Sequence, residues 1–337
     1  MITETTINEA QQKQPKLYAH FMHLVQQNRL THAYLFAGLA GCGKKAVAQA
    51  VAMALFCEHP EPDGAPCGVC TECQRILAGD SPDVVMVSPD GQRIKVDQVR
   101  YIKDEFAKSP VEGSMKIFII EGANTLTTNA ANSLLKFIEE PVANRVIFLL
   151  TTNKSLILPT IISRTQLVEF SPVAADVFAA ELAAEGISRK QTVLLSQLTN
   201  SLEQAKALTT DDWLGHLQHE LARWYTQLAK RDATAFVTVQ TGLMPLATDR
   251  ERQSIVLDAI IILWQTTLMV KYQQTDLPQP FPDSQADMQT VAQSITQRDL
   301  LAIVTEALAT KKALNGNMNF QSIIETLTLS VLDGLAE

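Results

Sequence analysis

The sequence predicts an α/β protein with a mainly parallel sheet, helices on both faces and a phosphate-binding loop, followed by an all-helical C-terminal region. Three observations carry this. Short apolar, β-prone runs alternate with helical patterns over residues 33–170, as crossover units require. The segment Gly38-Leu39-Ala40-Gly41-Cys42-Gly43-Lys44-Lys45 follows one such run and opens a helix. After Ser171-Pro172 the strand signals stop and helical periodicity takes over.

Strands are predicted at 33–37, 83–87, 116–121, 145–151 and 167–170, with helices at 44–56, 96–107 and 127–140. The runs KIFIIE and RVIFLLTT are almost continuously apolar, as central strands covered on both faces should be. Ala130, Leu134 and Ile138, with Ala131 and Leu135 beside them, form one buried stripe. Pro141 stops that helix, because proline lacks the N–H and its ring clashes with the preceding turn. Residues 173–209 read as short helices broken at Gly186-Ile187-Ser188 and Thr199-Asn200-Ser201. Longer amphipathic helices follow. Leu214, Leu217, Leu221, Tyr225 and Leu228 share one face, as do Phe320, Ile323, Leu327 and Val331 with Ile324 close by, and Pro278, Pro280 and Pro282 mark a loop. The expected division is an α/β domain over 1–172 with a cysteine module at 57–73, a small helical domain over 173–209 and a larger helical domain over 210–337.

The chain has 28 Lys and Arg against 36 Asp and Glu, a net charge of -8 that argues against a surface devoted to gripping phosphates and favours protein partners. Residues 1–14 are polar and lack the apolar core of an export signal. The most apolar stretch, 255–270, is broken by Asp258 and by Gln265-Thr266-Thr267. It falls short of the roughly 20 residues of a spanning helix. A core helix, a cytoplasmic location and no membrane partner are expected. The Lys311-Lys312 pair reads as a solvated helix end. His20, His23, His32, His216 and His219 stand beside no candidate nucleophile and read as structural or exposed.

Gly38, Gly43 and Lys44 match the phosphate-loop pattern G-x-x-x-x-G-K-[ST], with Gly41 inside it. Glycines let backbone N–H groups converge on phosphate oxygens, and the lysine reaches the outer phosphates. Lys45 departs from the pattern. It stands where a hydroxyl would ligate Mg²⁺, and an ammonium has no lone pair to offer. The strand at 116–121 ends in Glu121-Gly122, where Glu121 could touch a metal from a longer stem than aspartate and Gly122 offers no base. Binding of ATP is compatible with this set, and efficient hydrolysis is not.

Cys57, Cys67, Cys70 and Cys73 form C-x₉-C-x₂-C-x₂-C. Two-residue gaps turn successive thiolates toward one ion, and four thiolates close a structural Zn²⁺ site with no position left for substrate. An iron–sulfur cluster is the alternative for four thiolates. The intervening Pro60, Pro62, Gly64, Pro66 and Gly68 leave a segment that metal binding would have to order.

Several stretches resemble the AAA+ clamp-loader family of bacterial DNA polymerase III, in its delta-prime and gamma/tau branches: LTHAYLFAG, SPDVVMVSPDGQRIKVDQVR, KIFIIEGANTLTTNAANSLLKFIEEP and FLLTTN. Leu158 to Thr165 resembles the family's Ser-Arg-Cys segment, with Thr165 in place of cysteine, and the four-cysteine insert is typical of the family. The likeness is strong over residues 17–172 and general beyond. It implies a helical lid at 173–209 and a collar at 210–337 that joins a hetero-oligomer with gamma/tau and delta subunits. That assembly loads the sliding clamp onto primed DNA within a DNA-directed DNA polymerase (nucleotidyltransferase) holoenzyme. The lost metal ligand and base point to the delta-prime branch, with no intrinsic catalysis. The resemblance also implies that Arg164 acts as an arginine finger on a neighbour's ATP and that Asn153, with Thr152, occupies the sensor position. Local alternatives stay open: Arg164 paired with a nearby carboxylate, and Asn153 capping a strand end. Two rival readings of the whole chain are a working AAA+ ATPase of gamma/tau type and a zinc-dependent nucleic-acid binding module.

Overall fold

Two helices that the sequence pattern did not predict open the structure, a computed structural model that describes residues 2–91, 93–113, 115–139, 144–273, 279–316 and 318–334. The first, α1 (Ile2–Lys13), leads into α2 (Pro15–Gln26). Pro15 starts α2, its fixed φ already helical, and Tyr18, Phe21 and Met22 are buried at helical spacing. Contacts among Cα positions divide the chain into two units, Met1–Val177 and Phe178–Glu337.

In the first unit β1 (Ala33–Ala37) runs into α3 (Lys44–Phe56). Then come α4 (Thr71–Ala78), β2 (Val84–Val87), α5 (Val96–Ala107), β3 (Lys116–Ile120), α6 (Thr128–Glu139), β4 (Arg145–Thr151), α7 (Pro159–Ile162) and β5 (Gln166–Glu169). The sheet is parallel throughout, in the order β2-β3-β4-β1-β5. Alternating side chains serve its two faces. Leu35, Phe118 and Leu149 pack toward Ile102 and Phe106 of α5 and Leu134 of α6. Tyr34, Phe36 and Phe148 face the other way. There Phe21 lies 5.2 Å from both the Tyr34 and Phe36 rings, and Tyr34 stacks on Phe148 at 5.3 Å. Burial on both faces is why these strands read as continuous apolar runs.

The predicted strands and helices of this unit are present, shifted by a residue at some ends. The strand expected from 83 starts at Val84; the Asp83 carbonyl still accepts Ile117 N at 2.8 Å, while its carboxylate holds a neighbouring loop. Pro141 and Pro278 lie outside the described residues. Parallel order has one consequence for function. The segments after β1, β3 and β4 share the C-terminal edge of the sheet, whereas Arg164, just before β5, lies at the opposite edge.

Helix α8 (Ala175–Ala184) leads into the second unit, whose described residues form helices joined by loops and no strand: α9 (Arg189–Leu198), α10 (Leu202–Thr209), α11 (Trp213–Ala229), α12 (Thr234–Thr238), α13 (Arg250–Lys271), α14 (Gln285–Ser294), α15 (Gln297–Asn315) and α16 (Phe320–Gly334). Ser188, Ser201 and Asp249 cap α9, α10 and α13 by accepting the N–H groups of Gln191, Gln204 and Arg252. The predicted stripes on α11 and α16 are buried. Trp224 donates to Thr328 Oγ1 (3.2 Å), and Tyr225 and Thr267 share a 2.8 Å hydroxyl bond. Helix α13 corrects the expected length: its 22 residues are long and apolar enough to cross a membrane. Even so, Val256, Leu257, Ile260, Leu263 and Trp264 are fully buried, and the helix packs on α14 and α15 as a core element. Asp258 on α13 pairs with Lys311, which is therefore not merely a solvated helix end.

Candidate functional site

The loop Gly38 to Lys45 is shaped by its glycines. A Cβ on Gly38 would lie 2.8 Å from both Cβ and the carbonyl oxygen of Phe170, so only glycine fits beside the end of β5. Gly41 and Gly43 take left-handed φ values of 74° and 90°, which side chains other than glycine adopt at a cost. Gly43 is the N-cap of α3, whose exposed N–H groups and dipole favour an anion. Lys44 is buried as a residue, and its ammonium donates to the carbonyls of Gly38 (2.8 Å) and Leu39 (2.6 Å), bracing the mouth of the loop. Burial pulls its pKa below the ordinary lysine value, partly offset by Cys42 and Glu121. Burial likewise pushes the Cys42 thiol up. Sequence reasoning missed Gln14, between α1 and α2, whose amide donates to Cys42 O (2.9 Å) and Ser171 O (2.7 Å). No local motif announces that bond.

Across the same edge, Lys45 Nζ lies 2.8 Å from Glu121 Oε1, and Ser88 Oγ donates to that oxygen at 2.8 Å. Gly122 has φ 61°, and a Cβ there would sit 2.5 Å from Pro89 Cγ. The residue expected to supply a base is thus glycine for a packing reason. Asn124, also missed from sequence, links the ends of β3 and β4: its Oδ1 accepts from Thr151 Oγ1 (3.0 Å) and Thr152 N (3.3 Å). Asn153 caps the short turn Lys154–Leu156 by accepting Ser155 N at 3.0 Å.

Arg164 is apart from this group. Its Nε pairs with Glu139 Oε1 at 2.8 Å, and NH1 donates to Thr160 O and Ser163 Oγ, each at 3.2 Å. Glu139 and Arg164, with His32 and Ile138, line an open cavity of about 540 Å³. Tyr34 of β1 pairs with Gln166 of β5. The length of β1, about 13 Å at strand rise, therefore separates Arg164 from the start of the phosphate loop.

The four cysteines converge. Cys57 follows α3, Cys70 directly precedes α4 and Cys73 lies within it, and all four sulfurs, including Cys67, fall within 4.8 Å of one another. Tetrahedral zinc–thiolate geometry needs sulfurs about 3.8 Å apart. The backbone N–H groups of Cys67 and Cys70 already point at the sulfurs of Cys57 and Cys67, both at 3.3 Å. Burial opposes ionisation of Cys70, but hydrogen bonds from Cys73, Glu58 and Cys67 outweigh it and bring the thiol down to about 7. The cluster can hold a metal ion.

A parallel sheet carrying a glycine-rich loop at the N-terminus of its first crossover helix defines a P-loop domain of AAA+ type, here followed by helices. The family described as DNA polymerase III, delta subunit, matches residues 13–174. The delta' subunit of DNA polymerase III from Bacillus subtilis is 33% identical over 330 residues, spanning 97% of this chain and 98% of that protein. The tau subunit of the same organism is 35% identical over 156 residues, 46% of this chain and 27% of its own length. Among solved structures, a gamma subunit-related protein of Thermotoga maritima matches with a TM-score of 0.45 and 16% identity, covering 94% of this chain and 99% of that one. The chain belongs to the delta-prime family of DNA polymerase III clamp-loader subunits.

Proposed function

We propose that this chain acts as the stator-like subunit of a clamp loader: it hydrolyses no ATP itself and lends Arg164 to the ATP bound by a neighbouring subunit. Its partners are gamma/tau-type and delta-type subunits in the cytoplasm, joined through the 210–337 collar, with 173–209 serving as the lid. The sliding clamp and primed DNA are engaged through the assembly. The position of Arg164 carries the reading. Its guanidinium lies at the sheet edge away from the chain's own phosphate loop, beside an open cavity, and only an exposed pairing with Glu139 and two local hydrogen bonds have to open for it to meet a neighbour's nucleotide. A guanidinium supplied in trans neutralises charge developing on a γ-phosphate and makes hydrolysis depend on assembly. At Glu121 an ammonium sits where Mg²⁺ would be needed, which supports a silent site. Asn153 serves as a cap in what was a sensor position, and the four cysteines hold structural zinc.

The test is Arg164→Ala in the reconstituted loader. The side chain is partly exposed and its pairing with Glu139 is worth at most about 1 kcal/mol, so the fold survives. Hydrolysis at the site facing this chain falls by about 10³-fold or more, and the DNA-stimulated rate falls with it. An unchanged rate refutes the trans role, and steady Mg²⁺-dependent turnover by the purified chain refutes the silent site.

A further inference from the structure

The substitution that removes a metal ligand also delivers a cation to the place a metal would take. In a phosphate loop that holds Mg²⁺ with its nucleotide, the hydroxyl after the lysine binds the ion, and the ion offsets phosphate charge. Here that position is Lys45. Its ammonium sits 2.8 Å from Glu121 Oε1, and the same oxygen accepts from Ser88 Oγ. The donor set does not fit Mg²⁺, which demands near-octahedral oxygen ligands and dehydrates reluctantly. One carboxylate oxygen is already shared between an ammonium and a hydroxyl, and a second cation beside Lys45 is repelled.

The rest of the cradle is whole. Gly41 and Gly43 hold the left-handed turns, the 13-residue α3 presents its N-terminus, and Lys44 braces the loop through the carbonyls of Gly38 and Leu39. Lys45 is half-exposed, so its ammonium is free to swing toward an arriving anion while Glu121 stays behind.

We infer that this loop binds a nucleoside triphosphate without a divalent cation, Lys44 and Lys45 together offsetting the phosphate charge. The inference rests on the reading of the loop as a phosphate site that has lost its metal. Such a site takes the free tetra-anion rather than the Mg²⁺ complex, and it holds nucleotide without a route to cleavage.

The experiment titrates the purified full chain with ATP by calorimetry and with a fluorescent ATP analogue, in EDTA and in excess Mg²⁺. Affinity in EDTA is expected to equal or exceed that in Mg²⁺, because the metal withdraws the free nucleotide. Lys45→Thr, which returns the hydroxyl, makes binding at least about tenfold tighter with Mg²⁺ than without. Lys45→Met, which removes the charge and supplies no ligand, weakens binding in both conditions. Binding by the parent chain that needs Mg²⁺, or no binding at millimolar ATP, overturns the inference. The Arg164 assay in the assembled loader reads the trans role separately, so either can fail while the other stands.

Discussion

Asp83→Asn tests how the sheet edge next to the cysteine module is held. Asp83 is 2% exposed as a residue, and its carboxylate accepts three backbone N–H groups, from Val111 (2.7 Å), Glu112 (3.0 Å) and Gly113 (2.7 Å). Burial opposes its ionisation, but these bonds and the Lys116 ammonium outweigh that and hold its pKa below the ordinary aspartate value. Asparagine keeps one acceptor and turns an NH₂ toward an N–H group that needs an acceptor. The amide turns its oxygen to the Glu112 and Gly113 N–H groups, so the Val111 bond is the one lost, at about 1.5–3 kcal/mol for a charge-assisted bond, less what the loop recovers by relaxing. A net loss of about 2 kcal/mol follows, or about 4–8 °C in Tm for a unit of this size. The sign of the pH dependence is fixed by the depressed pKa. The contribution is complete above the unfolded value near about pH 4 and is lost as pH falls through the lower folded value. Denaturant unfolding of parent and variant from neutral to acid pH reads both quantities. A difference below about 1 kcal/mol at neutral pH, or one that does not shrink at acid pH, would refute the reasoning.

Two further outcomes are expected. Elemental analysis should find about one zinc per chain, and Cys70→Ser should release it with local unfolding around 57–73; a well-ordered module free of metal would contradict the assignment. Gly122→Glu combined with Lys45→Thr should not restore ATP turnover to the purified chain, since a side chain at 122 meets Pro89 in a left-handed conformation. Unfolding measurements should show the glutamate costing about 1–3 kcal/mol, and a stable, active double variant would remove the packing argument.

Much of the α/β unit was legible because its signals are local. Two-face burial writes itself into KIFII and RVIFLLT as unbroken apolar runs, and the cysteines converge because short spacings limit where each thiol can go. The N-terminal helices were not legible. Most of α1 is polar, and its junction with α2 is tied to the loop by one glutamine, Gln14, which no periodicity marks. Asn124 was missed for a similar reason, since its partners lie on another strand. Helix α4 was hidden by its eight-residue length and by the cysteines that dominate its start.

The chain's own order of residues was enough to define the glycine-rich loop, the lysine at 45 where the loop pattern has a hydroxyl, and the four-thiol set, because each depends on neighbours within a turn or a short insert. Only the tertiary structure decided three things: that Lys45 neutralises Glu121, that Gly122 is closed off by Pro89, and that Arg164 lies across the sheet from its own loop. Each of these pairs residues brought together, or held apart, by parallel strand order, and that order is set by how distant segments pack rather than by any one of them.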